Sequence, residues 1–160
     1  MLLSETGALD AMREGALLVD HTTVSADMAR RIETEAAKRG IAAIDAPVSG
    51  GQAGAENGQL AIMCGGAQDD YDRAVPIMDA YAKATEHFGE AGAGQLTKMV
   101  NQLCLAGLIQ GLAEGLHFAR KAGLDATAVV DVIGKGAAQS WQMDHRHETM
   151  LAGDYDHGFA

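Results

Sequence analysis

The chain is poor in cysteine, basic residues and long apolar runs, and each shortage narrows its possible functions. Its two cysteines, Cys64 and Cys104, lie within apolar runs and are predicted to be reduced core residues of a cytoplasmic protein, not disulfide partners. The 22 acidic residues outnumber the 12 basic ones, and the resulting net charge of -10 argues against a nucleic-acid partner. The uncharged stretch between Lys98 and Glu114 has about fifteen residues, fewer than the ~18 that span a bilayer, so no membrane association is expected.

Residue patterns that mark metal sites and hydrolases are also missing. The six histidines are scattered and the cysteines stand alone, so no metal-ligand spacing occurs and no metal is predicted. Ser49 has no evident His/Asp partner and no G-x-S-x-G context, which argues against Ser49 as the nucleophile of a hydrolase.

Glycine is abundant, with 20 residues, while aromatic residues make up only 4%, and this composition suits tight βα turns and close helix packing. A strand, a helix capped by Ser25 and a second strand follow one another within 30 residues, which is a βαβ unit and predicts a parallel sheet. The predicted elements of this half are a helix at 4–13 capped by Ser4 or Thr6, a strand at 16–20, a helix to 39, a strand at 41–45, a glycine-rich loop at 46–57, a strand at 59–64, a helix at 69–82 and a weak strand at 84–88.

No strand pattern recurs after about residue 93. A long helix is predicted to run to residue 121, Asp125 caps a shorter helix to 133, and Ser140 opens another that ends near 153. The pattern therefore changes from α/β to all-α near residue 92, which predicts domains at 1–91 and 92–160.

The most informative segment is a glycine-rich turn that leads into the long apolar helix. Gln95, Lys98, Asn101 and Gln102 are spaced by three or four residues and share one helix face. This stripe predicts a core helix facing a polar cavity, where a lysine can change its pKa and donate or accept a proton. The alternative is a surface lysine whose amine reaches water at a helix start.

Two further segments follow predicted strands, at the sheet edge where open α/β folds bind ligands. In the first, Ser49 supplies a hydroxyl, and Gly50 and Gly51 supply backbone N–H groups that can approach an anion closely. In the second, Thr22 and Thr23 place hydroxyls where a cofactor's ribose or nicotinamide would lie. The alternatives are an ordinary glycine loop and a plain loop before a helix cap.

Taken together, these segments resemble the β-hydroxyacid dehydrogenase family over essentially the whole chain. Residues 45–51 (DAPVSGG) are similar to the family's substrate-binding signature, and residues 92–102 are similar to its catalytic-lysine helix. Residues 20–25 resemble its Asp-x-Ser-Thr-x-x-Pro stretch, although Ser25-Ala26-Asp27 departs from it at the proline. Gly158-Phe159 resembles the start of a segment that leads to a further lysine on the cofactor side.

The resemblance implies the end of a Rossmann-type doubly wound sheet, followed by the start of a helical domain led by one long interdomain helix. It implies hydride transfer between NAD or NADP and a small β-hydroxy acid or its semialdehyde, with Lys98 as general acid and base. Ser49, Gly50 and Gly51 would hold the substrate carboxylate.

The same resemblance implies supporting roles for other residues and a quaternary structure. Asn101 and then Gln102 would assist Lys98, while Thr22 and Thr23 would line the cofactor side. The family's G-x-G-x-x-G turn does not occur in the sequence, so the chain resembles the middle of a family member. Pairing through the helical domain would give a homodimer or homotetramer.

Three alternatives stay open at this point. The chain could be a catalytically inactive fragment that acts only as a helical dimerisation module. It could instead be a relative of the imine reductases, or of the decarboxylating sugar-phosphate dehydrogenases such as 6-phosphogluconate dehydrogenase. The acidic or basic residue that separates NAD from NADP follows an earlier strand, so this choice cannot be made from the sequence.

Overall fold

A computed structural model describes residues 2–4 and 7–156, so the candidate cap Thr6 and the Gly158-Phe159 segment lie outside the described residues. The chain forms two compact units, Met1–Asn101 and Gln102–Ala160, each of which has its own core. This division falls within the long helix, ten residues beyond the change of pattern near residue 92. The domain boundary at 91/92 therefore stays a prediction.

The first unit opens with a short helix and then the predicted βαβ unit. The elements are α1 (Ala8–Ala11), β1 (Leu17–Asp20), α2 (Ala26–Ala37) and β2 (Ala42–Asp45). The β1 and β2 strands are parallel and in register from Leu17 opposite Ala42 to Asp20 opposite Asp45, as the βαβ pattern predicts. The prediction for 4–13 was too long, because α1 begins after Gly7 without a side-chain cap and Met12 is already extended.

A second, three-stranded ladder completes this unit. Its elements are β3 (Val48–Ser49), α3 (Gly51–Glu56), β4 (Leu60–Cys64), α4 (Gln68–Met78) and β5 (Ala82–His87). The β4 and β5 strands are parallel, whereas β3 pairs antiparallel with β4, so the strands do not all run in one direction. An isolated bridge between Asp45 and Gly65 links the two ladders.

The segment 46–57, predicted to be a loop, therefore contains a strand and a helix. Both are too short to leave a periodic pattern, since β3 has two residues and α3 has six. The principal core lies between the strands and α4, and it consists of Ile44, Ala46, Leu60, Ile62, Cys64, Ala74 and Met78.

The described residues of the second unit form helices and no strand, as predicted. The helices are α5 (Ala93–Lys121), which starts in the first unit, α6 (Ala126–Ile133) and α7 (Trp141–Ala152). The predicted caps are present, because the Asp125 carboxylate accepts hydrogen bonds from Thr127 N and Ala128 N and the Ser140 hydroxyl accepts one from Met143 N. The core of this unit consists of Leu112, Leu116, Ala119, Ala126, Val130 and Met143.

The two cysteines differ in their surroundings. Both are free thiols, and Cys64 is buried as predicted, but the placement of Cys104 in a core was wrong because its side chain is exposed on α5. Within residues 2–4 and 7–156, none of the helices combines the length and the apolar character that crossing a membrane requires.

Candidate active site

The candidate site lies where the carboxyl ends of β1 and β2 meet the start of α5. The two strands end side by side at Asp20 and Asp45, and both aspartates are buried. Asp45 is 6% exposed, and its two carboxylate oxygens accept hydrogen bonds from Gly92 N at 2.7 Å and from Gln95 N at 2.8 Å. A carboxylate at this place satisfies the free N–H groups of the helix start and complements its positive end. Strand β2 therefore caps α5 across 47 residues of sequence.

Two glycines allow this close approach between helix and strands. A Cβ at Gly94 would collide with Met63 O and would lie 2.7 Å from Asp45 O. A Cβ at Gly65 would lie 2.7 Å from Gly94 N. Any side chain at either position would push α5 away from the sheet edge, so glycine is required at both for steric reasons.

At the start of α5 the polar stripe faces the sheet edge, and the apolar side chains beside it are exposed. Gln95 is 1% exposed, whereas Leu96, Met99 and Val100 are 48%, 42% and 61% exposed. The side-chain amide of Gln95 donates to Thr22 O at 2.7 Å and accepts from Val24 N at 3.0 Å. The sequence placed Gln95 on the stripe with Lys98 but did not reveal these partners.

Lys98 reaches the same edge of the sheet from the next turn of the helix. Its Nζ donates a hydrogen bond to Val48 O at 2.8 Å, and its side chain is half-buried. Burial lowers the pKa of Lys98 below its ordinary value of 10.5, because desolvation disfavours the charged amine. The amine is thus held against the residue that precedes Ser49, unlike a surface lysine that extends freely into water.

The loop that begins at Ser49 has two successive glycines with positive φ angles. Ser49 is half-buried at the end of β3, and Gly50, the N-cap of α3, and Gly51, its first residue, have φ angles of +140° and +62°. An added Cβ at Gly51 would meet no atom within 4 Å, so open space adjoins this part of the loop. The positive φ angles, more than crowding, favour glycine there.

The remaining predicted residues lie around this edge. Thr22 and Thr23 are exposed at the end of β1, and Thr22 N donates to Asp20 Oδ1 at 3.0 Å. Asn101 is half-buried and Gln102 is exposed, three and four residues beyond Lys98 on α5. The structure therefore brings Lys98 beside the Ser49 loop, while the roles assigned to all of these residues stay predictions.

Sequence reasoning missed His21, which ties three segments together. Its Nδ1 lies 2.6 Å from Ala46 O and its Nε2 lies 3.0 Å from the Tyr81 hydroxyl. Because a carbonyl only accepts, Nδ1 carries the proton toward Ala46. The imidazole and the Tyr81 ring meet edge to face at 5.6 Å. Only its position directly after a buried strand signalled this role.

Residues 2–4 and 7–156 contain no group of three or more His, Cys, Asp or Glu side chains arranged to hold a metal ion.

Two family models match this chain, one in each half. Residues 1–89 match the family model of the NAD binding domain of 6-phosphogluconate dehydrogenase, and residues 92–160 match that of the NAD-binding region of NADP-dependent 3-hydroxyisobutyrate dehydrogenase. Both matches are to NAD-binding regions of dehydrogenases, and this defines the class of protein to which the chain is related. Within that class, the chain belongs to the β-hydroxyacid dehydrogenase family.

Individual relatives agree with this assignment. The chain is 59% identical to an uncharacterized oxidoreductase from Shewanella frigidimarina. The match covers all 160 residues of this chain and 55% of that protein. It is similar to the structure of a 3-hydroxyisobutyrate dehydrogenase from Salmonella typhimurium (TM-score 0.84, 31% identity, 93% of this chain and 53% of that one). It is also similar to the structure of Mycobacterium tuberculosis 3-hydroxyisobutyrate dehydrogenase with L-serine (TM-score 0.76, 37% identity, 86% and 47%). The chain thus spans about half the length of the relatives that it matches.

Proposed function

We propose that the chain supplies the proton-transfer and substrate-binding half of an NAD(P)-dependent dehydrogenase for a small β-hydroxy acid or its semialdehyde. The observation that carries this proposal is the position of the Lys98 amine, which is half-buried and bonded to Val48 O beside the Ser49 loop. A carboxylate-binding loop and a proton-exchanging amine on one sheet edge are the two groups that such a substrate requires.

Lys98 is the proposed general acid in reduction and general base in oxidation. When bound, the nicotinamide ring supplies or accepts the hydride. The lysine then gives a proton to the substrate oxygen in reduction and removes one in oxidation. A lowered pKa suits both directions, because a proton donor works best when its pKa lies near the working pH. Substrate would displace the Val48 carbonyl as the partner of the amine.

The substrate carboxylate would bind at the Ser49 loop. The Ser49 hydroxyl and the N–H groups of Gly50 and Gly51 are the proposed donors, and Asn101 with Gln102 would orient Lys98 or bind the substrate hydroxyl. L-Serine in the structure of the Mycobacterium tuberculosis relative carries both a carboxylate and a β-hydroxyl, which supports this substrate class.

The cofactor side of the proposed site is the end of β1. The exposed threonines Thr22 and Thr23 fit a nicotinamide ribose, because they offer hydroxyls at the carboxyl edge of a parallel strand pair. We further propose that the protein works in the cytoplasm and pairs through its helical residues, where α5 exposes Leu103 and Phe118 at 75% and 70%.

Turnover by a chimera tests the proposal. Residues 1–160 would replace the matching residues of the Shewanella frigidimarina relative, and nicotinamide reduction would be followed with 3-hydroxyisobutyrate and L-serine. Replacing Lys98→Met should lower kcat about 100- to 10,000-fold, the usual contribution of a general acid or base. The exposed Lys83→Met is the matched control and should leave kcat unchanged.

The alternatives give different results in the same assays. An imine reductase would turn over a cyclic imine and ignore hydroxy acids, and the likeness to imine reductase structures, at 18–23% identity, concerns the fold alone. A dimerisation module would self-associate in sedimentation yet neither bind cofactor nor support turnover in the chimera. Near-normal turnover by Lys98→Met would remove Lys98 from the mechanism.

A further inference from the structure

We propose that Gln95 is a positioning residue that couples the loop at Thr22–Val24, on the proposed cofactor side, to the helix turn that carries Lys98. This inference rests on the proposed function for its meaning in catalysis. The coupling itself is a statement about hydrogen bonds and can be tested without turnover.

Both ends of the Gln95 side-chain amide bind the loop. Its Nε2 donates to Thr22 O at 2.7 Å and its Oε1 accepts from Val24 N at 3.0 Å. One partner only accepts and the other only donates, so the partners fix which end of the amide is oxygen. The side chain therefore binds the loop much as a neighbouring strand would.

The backbone of Gln95 is held from the opposite direction. Its N–H donates to the Asp45 carboxylate at 2.8 Å, and the same carboxylate accepts from Gly92 N. Gln95 is 1% exposed, so no water competes for these bonds. Strand β2, the Thr22–Val24 loop and α5 thus meet at this single residue.

Lys98 lies on the same face of α5, three residues and about 4.5 Å further along the helix axis. A helix turn is stiff, because its own hydrogen bonds hold neighbouring residues together. A shift of the loop that pulls on Gln95 is therefore transmitted to the start of α5, and it changes how far the Lys98 amine is buried against Val48.

A purely space-filling role would not select an amide here. A buried polar group costs free energy unless its hydrogen bonds are made, and methionine would fill a similar volume without that requirement. An apolar residue would lose both bonds, the one to Thr22 O and the one from Val24 N.

The test compares Gln95→Met with Thr97→Val in the 160-residue chain. Thr97 donates only to Ala93 O within α5, so its replacement removes a bond from the same turn without touching the loop. Two quantities are measured by NMR, namely amide hydrogen exchange at Val24 and the titration of the Lys98 amine.

Gln95→Met should raise the exchange rate at Val24 about tenfold or more, which corresponds to one lost hydrogen bond. It should also move the titration of Lys98 upward toward its ordinary value, while Thr97→Val changes neither quantity. Faster exchange at Val24 with an unchanged Lys98 titration would overturn the coupling. Gln95 would then only bind the loop, without affecting Lys98.

A loop-side variant decides the matter if Gln95→Met does not fold. Val24→Pro removes the N–H that Gln95 accepts and leaves α5 untouched, so the coupling predicts the same upward movement of the Lys98 titration. No movement would overturn it. If the Lys98 titration moves upward but the Lys98→Met chimera turns over normally, the coupling is supported and the proposed function is refuted.

Discussion

Replacing Asp45→Asn should loosen the attachment of α5 to the sheet edge. The substitution keeps the shape of the side chain but exchanges one carboxylate oxygen for an NH2 group, which then faces a backbone N–H. One of the two bonds, from Gly92 N at 2.7 Å or from Gln95 N at 2.8 Å, is lost, and the other becomes a bond to a neutral acceptor.

The expected loss of stability follows from these contacts. A hydrogen bond to a charged group contributes about 1.5–3 kcal/mol, and a neutral one about 1 kcal/mol. The attraction between the carboxylate and the helix start adds about 0.3–1 kcal/mol. An asparagine is easier to bury than a carboxylate, which offsets part of the loss. The free energy of unfolding should therefore fall by about 2–4 kcal/mol.

Urea unfolding followed by circular dichroism measures this loss. With a slope of about 2 kcal/mol per molar, the midpoint should fall by about 1–2 M. Asp27→Asn is the matched control, because its side chain is 93% exposed and pairs only with Arg30, so its effect should stay below about 1 kcal/mol. A midpoint for Asp45→Asn within about 0.3 M of the wild type would refute the capping role.

Three further predictions concern other parts of the molecule. Iodoacetamide should alkylate Cys104, which is exposed, and spare Cys64, because burial raises the pKa of the Cys64 thiol to about 12. Mass spectrometry identifies the labelled cysteine, and labelling of Cys64 would contradict its burial. Gly94→Ala should destabilise the chain by about 3 kcal/mol or more in urea unfolding, because the new Cβ meets Met63 O, and unchanged stability would contradict the close approach. Burial lowers the pKa of Lys98, so between that pKa and 10.5 the unfolded state binds more protons than the folded state. The free energy of unfolding of the wild type, relative to that of Lys98→Met, should therefore rise with pH in this range. A difference that does not change with pH would count against burial of the amine.

Most helices, strands and caps could be predicted from the sequence, because local chemistry determines them. Ser25, Asp125 and Ser140 are short polar residues before apolar periodic runs, and each caps the helix predicted to follow it. The strand at Leu17–Asp20 was equally readable from its continuous apolar run, although only Asp20 is buried and its other residues are half-buried. The family assignment was also accessible from the motifs, and the family models confirm it.

What the sequence could not reveal depends on contacts between distant residues. Asp45 was visible as the end of a strand, but its capping of α5 requires partners 47 and 50 residues away. The side-chain bonds of Gln95 cross more than 70 residues, and His21 reaches Tyr81 across 60. Cys104 lies in an apolar run that favoured burial, yet it falls on an exposed side of α5. Periodicity describes a helix face, and tertiary packing decides which face is buried.

Direct titration of the Lys98 amine tests the central claim, that this amine is held at the substrate edge in a partly desolvated state. Selective labelling of the lysine side chains and assignment through Lys98→Met would allow its pKa to be followed by NMR. We expect a pKa below 10.5 and a titration step that is absent from the variant. A value at or above 10.5 would mean that burial does not disfavour the charged form of the amine, and it would contradict Lys98 as the proton-exchanging group.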